Sequence, residues 1–286
     1  MRNNQDRLPT PGGHQPPAPA IEQAQQQSSA FSFAIPTEFV ELPSKGEFYP
    51  EGHPLCGVET VEIRHMTAKD EDILTSQTLL KKGIAIERLL QNIIVDKSIR
   101  IDELLVGDKN ALIVATRITG YGEDYDINIT CPVCNASNPH TVNLSELKTS
   151  YVDDDLLTEF NIDKTDNNTF VITLPKSKVN VEVRLLNGRD ERQLMVKSEQ
   201  RKKHKLLEAV LTDQFKSFIV SVNGNDQEKT VSSFIDNMPA YDSRYLRNIY
   251  TNITPNIEMQ EYFSCLECGN TTEVDVPFTV QFFWPK

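Results

Sequence analysis

The chain contains an internal repeat, which restricts the possible folds more than any single motif because both copies must adopt similar structures. Residues 61–74 (VEIRHMTAKDEDIL) align with residues 181–194 (VEVRLLNGRDERQL) at an offset of 120 positions. A second block, residues 101–112, aligns with residues 235–246 at an offset of 134. The second copy therefore carries fourteen additional residues between the two blocks, and the sequence predicts a duplicated chain with one insertion.

Each copy predicts the same succession of elements. Alternating apolar and polar residues predict a strand at residues 58–64 and again at 179–184. Thr67 and Asn187 then occupy equivalent places as N-caps of helices with acidic first turns, which suit the positive end of the helix dipole. Apolar residues at three- and four-residue spacing predict a second helix, for example at residues 84–94.

Each copy also ends with a predicted hairpin. Asp108 is expected to cap a third helix, and an alternating strand at residues 125–130 runs into a Cys-x-x-Cys pair. Return strands at residues 141–144 and, in the second copy, 272–276 complete the hairpins. The predicted fold class is α+β: two similar units, each with helices packed on a small, mostly antiparallel sheet, plus Cys-x-x-Cys zinc-knuckle hairpins.

Four cysteines, two in each copy, are the candidate metal ligands. Cys131 and Cys134 match Cys265 and Cys268 at the offset of 134 that aligns the second block. One pair supplies two ligands, whereas a closed tetrahedral zinc site requires four. Packing of equivalent hairpin tips would bring the pairs together, so the sequence predicts one structural zinc ion shared between the copies. The alternatives are a redox Cys-x-x-Cys, two disulfides, two separate sites completed by other ligands, or cysteines without a metal.

Composition changes along the chain predict its domain boundaries. Residues 1–35 are rich in Pro, Gln and Ser and predict a disordered tail. The first repeat unit is assigned to residues 36–147 and the second to residues 169–286. Between them, residues 148–168 are polar and acidic, which is typical of a linker.

The net charge and the first residues of the sequence restrict the expected cellular compartment and the expected kinds of binding partner. The net charge is −12 and the sequence pI is near 5.0, with one dense basic run at residues 201–205 that is interpreted as a solvated face. Nucleic-acid binding is therefore disfavoured, because it requires a clustered basic surface. No apolar run is long enough to span a membrane. The first residues do not have the pattern of a signal peptide, so the interpretation is a protein made and used in a reducing cytoplasm.

Motifs typical of catalysis are missing from the sequence. The phosphate-binding loop, the dinucleotide-binding glycine motif, HExxH and GxSxG do not occur. Asp70 and Glu71 recur as Asp190 and Glu191, and paired carboxylates can act in acid–base catalysis. Their position at the start of a helix explains them by compensation of the dipole, and no enzymatic activity is predicted.

Three further features of the sequence are interpreted as having neither a catalytic nor a metal-binding role. Cys56 is the unpaired cysteine and is interpreted as a simple thiol rather than a ligand. His140 lies close to the first Cys-x-x-Cys but has no equivalent histidine in the second copy, and it is interpreted as polar surface. The aromatic C-terminus, residues 276–286, either packs on the second unit or serves as a docking peptide.

Taken together, several motifs resemble those of the baseplate hub proteins of T-even-type contractile-tail bacteriophages, within the subset involved in hub assembly. The resemblance begins near residue 36 and covers most of the chain. The motifs that carry it are LPSKGEFYP (Leu42–Pro50), MTAKDEDIL (Met66–Leu74), Asp102–Asp108, RITGYG (Arg117–Gly122), CPVC (Cys131–Cys134) and FFWP (Phe282–Pro285).

This resemblance implies a non-enzymatic protein that is made in the host bacterial cytoplasm and acts in building the tail baseplate. Its partners would be other baseplate and tail proteins, with a homo-oligomer left open, and its place would be the virion tail or an assembly intermediate. The second hypothesis is a zinc-dependent nucleic-acid-binding or regulatory protein, because zinc knuckles often have that role. The acidic charge of the chain favours the first hypothesis.

Overall fold

A computed structural model describes residues 34–205, 207, 209–276 and 280–283, with only the backbone of residues 280 and 281. The chain divides into two compact units, residues 1–35 and 36–286. All helices and strands that the structure describes belong to the second unit. The tail predicted to be disordered lies almost entirely outside the described residues. None of the helices in the described ranges is long and apolar enough to cross a membrane.

The first half of the chain contains four helices and four strands among its described residues. Two of the strands precede the helices and two follow them. In chain order they are β1 (Thr37–Glu41), β2 (Thr60–Arg64), α1 (Ala68–Thr75), α2 (Gln77–Lys81), α3 (Ala85–Ile93), α4 (Val106–Tyr121), β3 (Asp124–Thr130) and β4 (Ser137–Asn143).

The second half is longer and adds a connecting stretch. Along the whole chain, the structure also describes short 3₁₀ turns, at Ile101–Glu103, Leu144–Glu146 and Val280–Phe283. The remaining elements are β5 (Thr149–Ser150), α5 (Asp154–Glu159), β6 (Asp163–Lys164), β7 (Thr169–Thr173), β8 (Asn180–Arg184), α6 (Gly188–Lys203), α7 (Val210–Phe218), β9 (Ile219–Val222), α8 (Glu228–Asn237), α9 (Ala240–Asn252), β10 (Asn256–Ile257), β11 (Gln260–Ser264) and β12 (Thr271–Asp275).

The strands form small antiparallel sheets. The largest has four strands in the order β6-β7-β8-β9, and β1 pairs with β2. Strands β3 and β4 form one hairpin, β11 and β12 form another, and β5 pairs with β10. This mixture of helices and small antiparallel sheets confirms the predicted α+β class.

Each copy of the repeated VE-x-R sequence makes the same local structure. Strand β2 leads into α1, where Thr67 is the N-cap and Asp70 accepts a hydrogen bond from its backbone N–H at 2.8 Å. Strand β8 leads into α6, where Asn187 is the N-cap and Asp190 accepts the equivalent bond at 3.0 Å. These reciprocal bonds satisfy donors that a helix start leaves free. Both predicted N-caps are confirmed.

The third helix begins earlier than predicted, so Asp108 is not its cap. Helix α4 starts at Val106, and Asp108 is buried within its first turn. Its carboxylate accepts hydrogen bonds from the Ser44 backbone at 2.9 Å, the Ser44 hydroxyl at 2.6 Å and the Tyr49 hydroxyl at 2.7 Å. In α9, Asp242 accepts backbone bonds from Lys176 and Ser177 at 2.8 Å. Both aspartates therefore fasten the loop that connects the preceding strand pair.

One hydrophobic core contains side chains from both halves. It includes Leu89 and Leu112 from the first half and Phe170 and Leu246 from the second, all completely buried. The stretch predicted as a linker, residues 148–168, also contributes to this core. Its helix α5 carries acidic residues in its first turn, whereas Leu157 and Ile162 face the core.

The C-terminal segment packs against the first half as far as the structure describes it. The side chains of Phe282 and Phe283 are each 1% exposed, and the buried guanidinium of Arg117 donates to the Phe282 carbonyl at 2.7 Å. Arg117 also donates to the carbonyls of Gly122 at 2.7 Å and Asp124 at 2.9 Å. The described residues of this terminus are packed, but against the first half rather than on the second unit as predicted. Residues 284–286 lie outside the described part.

Candidate metal centre

The two hairpins that carry the cysteines have the same register. Thr130 pairs with Ser137 at the tip of the first hairpin, and Ser264 pairs with Thr271 at the tip of the second. Every paired position of β11 and β12 lies 134 residues after its counterpart in β3 and β4. The sequence offset therefore corresponds to an equivalent position in the structure, and each Cys-x-x-Cys forms the turn of its hairpin.

Each turn closes with the same pair of backbone hydrogen bonds. The N–H of Cys131 donates to the Ala136 carbonyl at 2.9 Å, and Asn135 donates back to the Cys131 carbonyl at 2.9 Å. In the second hairpin, Gly269 makes the latter bond to Cys265 at 3.0 Å. Asn135 and Gly269 have φ angles of 58° and 67°, a left-handed conformation that asparagine and glycine tolerate best.

The four cysteine sulfurs come together in one cluster. The Sγ atoms of Cys131 and Cys268 are 3.7 Å apart, and those of Cys134 and Cys265 are 3.6 Å apart. All four lie within 4.8 Å of one another. Sulfurs bound at about 2.3 Å to a tetrahedral zinc ion are about 3.8 Å apart, so the cluster has the dimensions of such a site. Each close pair joins one hairpin to the other.

The other interpretations of the cysteines fit this geometry less well. All five cysteines are free thiols, so the cluster is not a pair of disulfides. Both pairs lie at hairpin tips, whereas a redox Cys-x-x-Cys lies between a strand and a helix. Two separate metal sites would keep the pairs apart, but their sulfurs share one cluster. Four thiolates in a tetrahedral set are the donors that zinc or an iron–sulfur centre takes.

The two thiols of each hairpin differ in pKa. The backbone amide of Cys134 lowers the pKa of the Cys131 thiol, and the amide of Cys268 lowers the pKa of Cys265 to about 6. The Ala136 amide favours the Cys134 thiolate, but desolvation and the neighbouring sulfurs outweigh it and raise the pKa of Cys134 to about 12. Four adjacent thiolates would repel one another, and a divalent cation would compensate for their charge.

A small apolar cluster, separate from the main core, supports the sulfurs. Ile129 and Phe263 occupy equivalent positions in the two hairpins, and both pack with the buried Cys131 and Cys265. The apolar surroundings limit access of water to the two buried ligands. Cys134 and Cys268 are exposed at the outer side of the cluster.

Asn138 connects the two hairpins and was not identified from the sequence. Its amide donates to the Ala136 carbonyl at 3.1 Å, and its amide nitrogen lies 3.6 Å from the Cys265 sulfur. Its side-chain oxygen accepts a hydrogen bond from the Leu266 N–H at 3.0 Å. The residue is 2% exposed. The equivalent position in the second copy is Thr272, so an asparagine makes this contact from the first hairpin to the second but not from the second to the first.

Cys56 and His140 lie outside the sulfur cluster. Cys56 is exposed, which agrees with its interpretation as a simple thiol. His140 was interpreted as polar surface, but it is half-buried and its ring packs edge-on against Phe263, with centroids 6.1 Å apart. It faces the second hairpin because it follows Asn138 on the same side of β4.

The repeated acidic residues have a structural explanation. Asp70 is fully buried and accepts two hydrogen bonds from Arg64 at 2.7 and 2.9 Å and one from Asn92 at 2.6 Å. Burial raises the pKa of Asp70, but these bonds and those from Thr67 outweigh it and lower the pKa to about 2. Such a permanently ionised carboxylate anchors a helix start and is poorly suited to proton transfer.

The fold and this centre define a class: an α+β protein in which two equivalent hairpins form a four-cysteine cluster. Comparison with protein families places it further. The family model described as T4 bacteriophage base plate protein matches residues 35–284. The chain therefore belongs to the T4 bacteriophage base plate protein family. Comparison with curated proteins and with solved structures gave no significant match.

Proposed function

We propose that the chain is a non-enzymatic protein of the phage tail baseplate hub, acting as a structural component or as an assembly chaperone through contacts with other tail proteins. The family match over residues 35–284 carries this proposal, because a baseplate family points to a structural role. The absence of catalytic motifs in the sequence agrees with it. In this proposal the protein is made in the host bacterial cytoplasm and reaches the tail during assembly.

The second part of the proposal is one structural zinc ion held by Cys131, Cys134, Cys265 and Cys268. The sulfur separations of 3.6 and 3.7 Å and the thiolate-only donor set support it. A closed site of four protein ligands leaves no position for substrate or water, so the ion would act on structure alone. It would link the two hairpins and hold them as one rigid projection.

The third part is an origin of the chain by duplication, with repeat units at residues 36–147 and 169–286 and a connecting stretch at 148–168. Support comes from the common register of the two hairpins and from the equivalent N-cap structures at Thr67 and Asn187. The additional residues lie between the two aligned blocks, within residues 195–234.

The alternative of a zinc-dependent nucleic-acid-binding protein receives no support from the hairpins. Residues 124–143 and 260–275 contain no lysine or arginine. They contain acidic residues instead, for example Asp126 and Glu267. Binding to phosphates requires lysine or arginine near the contact, so these hairpins are suited to protein partners rather than to nucleic acid.

Purified tails test the proposed role. Mass spectrometry and electron microscopy of intact tails and of baseplate intermediates would locate the chain. Presence in mature tails identifies a component, and presence in intermediates alone identifies a chaperone. Absence from both refutes the proposal. Salt-dependent retention of the full-length chain on a DNA column would instead support the nucleic-acid alternative.

Elemental analysis tests the metal. The full-length protein, purified under reducing conditions, should carry about one zinc per chain, as a single four-thiolate site requires. Two zinc ions per chain contradict the shared site. A folded protein with no metal and four reactive thiols in the cluster contradicts zinc binding altogether.

A further inference from the structure

Strand β1 has an open side in the sheet that it forms with β2. The two strands pair in antiparallel register, from Thr37 opposite Arg64 to Glu41 opposite Thr60. Within the described part of the chain, no strand pairs with the other side of β1. The strand is five residues long, and the side chain of Phe39 at its centre is 67% exposed. An open edge with an exposed apolar residue is a template on which another strand can pair.

The backbone groups of alternate residues of β1 face this open side. The N–H of Leu42 donates to the Glu59 carbonyl at 2.8 Å, so the even-numbered residues bond to β2. Bonding directions alternate along an antiparallel strand, and the N–H and C=O groups of Thr37, Phe39 and Glu41 therefore point away from β2. All three residues are exposed, and no backbone partner on the open side is found for them among the described residues.

The equivalent sheet in the second half has a strand at this place. The first residue of β7 pairs with the last residue of β8, as the first of β1 pairs with the last of β2, so β7 corresponds to β1. Val171 of β7 thus corresponds to Phe39. On its outer side β7 pairs with β6, where Val171 lies opposite Asp163. The same edge is closed by an antiparallel strand in the second half and open in the first.

The chain does not close the first edge by the turn that it uses in the second half. That turn places Asn168, directly before β7, at a φ of 58°. Pro36 stands directly before β1, and the proline ring fixes φ at about −65°. A turn of the second-half type therefore cannot form there, and a strand on the open edge has to come from elsewhere.

The two sheets also differ in how their edges are protected. Strand β6 has only two residues, Asp163 and Lys164, and both are charged and exposed. Very short edge strands and edge lysines are means by which proteins prevent further pairing. Strand β1 is longer and has neither a lysine nor a proline among its residues, TEFVE. Its edge is therefore left able to pair.

The charge at this edge is negative. Glu38 and Glu41 are exposed, and no ion pair with another described residue is found for either. Two basic side chains nearby have other partners. Arg64 of β2 forms a bidentate pair with the first turn of α1, and Lys45 lies 4.5 Å from the centroid of the Tyr151 ring, whose hydroxyl donates to Glu41. A strand that complements this edge carries positive charge.

We propose that the open edge of β1 binds an extended, basic segment of another protein as an added antiparallel strand. Hydrogen bonds from its main chain to Thr37, Phe39 and Glu41 provide affinity, as in other cases of strand addition. The segment carries a basic residue opposite Glu38, at the place that Lys164 takes in the second half. The inference rests on the proposed function, because it specifies how the chain binds one of its protein partners.

Other occupants fit less well. Pairing with β1 of a second molecule of the chain would bring two glutamates from each strand together, with no lysine or arginine in either strand. Like charges on neighbouring strands are destabilising. Nucleic acid and lipid do not present amide groups at the spacing of a strand, and their phosphates would be repelled by Glu38 and Glu41.

Site-specific photo-crosslinking in infected cells tests the proposal. Full-length chains would carry p-benzoylphenylalanine in place of Thr37 or of Glu41, at the two ends of the open edge. We expect both chains to give products with one segment of one other phage protein. Because the added strand is antiparallel, the position captured from Glu41 should precede the position captured from Thr37 in the partner's sequence. The matched control carries the photoreactive residue in place of Asp163 on β6 and should give no such product.

Two substitutions of Phe39 separate backbone pairing from side-chain contact. Phe39→Pro removes the outward N–H and leaves the bonds to β2 intact, and an edge strand tolerates proline at such a position. Phe39→Val keeps the N–H and copies the residue at the equivalent place in β7. We expect Phe39→Pro to lower the yield of the Thr37 product about tenfold and Phe39→Val to retain most of it, with thermal unfolding unchanged in both.

The order of the captured positions decides the question even if the proline variant is less stable. A parallel order, or a product within the chain or with a second molecule of it, overturns the inference. Equal yields from Phe39→Pro and Phe39→Val overturn it as well, as does no product from a chain that is present in tails. Absence of the chain from tails and intermediates would instead be a failure of the proposed function.

Discussion

Removal of one cysteine of the cluster should measure what the proposed metal link contributes to stability. Cys134 and Cys265 belong to different hairpins and lie 131 positions apart in the chain. In the unfolded chain, a link across a loop of this length removes conformational entropy equivalent to about 5 kcal/mol. A Cys134→Ser variant replaces a thiolate ligand with a hydroxyl, which binds zinc poorly. We therefore expect the variant to lose most of that amount.

Urea unfolding followed by far-UV circular dichroism provides the measurement. With a slope of about 2–3 kcal/mol per M for urea, a loss of about 5 kcal/mol lowers the midpoint by about 2 M. Excess chelator under reducing conditions should bring the natural protein to the midpoint of Cys134→Ser. Cys56→Ser is the matched control, because Cys56 is exposed and outside the cluster. Its midpoint and its response to chelator should equal those of the natural protein.

One result would refute this reasoning. If elemental analysis shows zinc in the natural protein and none in Cys134→Ser, yet the two midpoints agree, the metal does not constrain the unfolded chain. Equal midpoints with zinc retained in the variant would mean that three thiolates suffice. A lower midpoint in Cys56→Ser would show that any lost thiol destabilises the protein, whatever its position.

Three further predictions concern Asn138 beside the cysteine sulfurs, the ion pair of Asp70, and the close approach of Gly107 to the Pro255 backbone. Asn138→Ala should weaken zinc retention against a chromophoric chelator by about 10–100-fold, because ligands without oriented neighbours bind metals less well, whereas Thr272→Ala should leave it unchanged. Asp70→Asn should cost about 3 kcal/mol in urea unfolding, because it leaves the partly buried Arg64 guanidinium without its charged partner. The pKa of Asp70 is about 2 in the folded protein, below its unfolded value, so the carboxylate's contribution of about 2 kcal/mol is complete above pH 4 and is lost as the pH falls towards 2. Gly107→Ala should destabilise the fold by about 3 kcal/mol, because the added Cβ would lie 1.9 Å from the Pro255 carbonyl oxygen.

The sequence was sufficient to predict that the four cysteines come together, because the repeated segments carried long-range information. Neither Cys-x-x-Cys specifies a partner locally, but a common offset implies equivalent hairpins, and equivalent tips can meet. The same argument correctly placed Thr67 and Asn187 as N-caps, because an N-cap depends on the few residues that follow it.

Features that depend on contacts between the copies escaped prediction. Asn138 bonds to the opposite hairpin, and its counterpart Thr272 does not, so comparison of the copies hid its role. The sequence did contain one signal for this role. Asn138 occupies an inward-facing position in the alternation of β4, where an apolar residue is expected. Asp108 was assigned as a cap from local sequence, whereas its partners Ser44 and Tyr49 lie about 60 positions earlier.

A bound metal would have two separate effects, one on the stability of the main core and one on the local order of the hairpin tips. The main core already contains residues from both halves, so chelation should leave it folded and lower its stability only through the unfolded chain. The hairpin tips, in contrast, have only the small cluster around Ile129 and Phe263 besides the sulfurs. Without metal they should open locally, and hydrogen exchange should quicken at Cys131 and Cys265 while the amides of α4 remain protected. Equal acceleration in α4 and in the hairpins would show that the cluster holds the whole fold together rather than the projection alone.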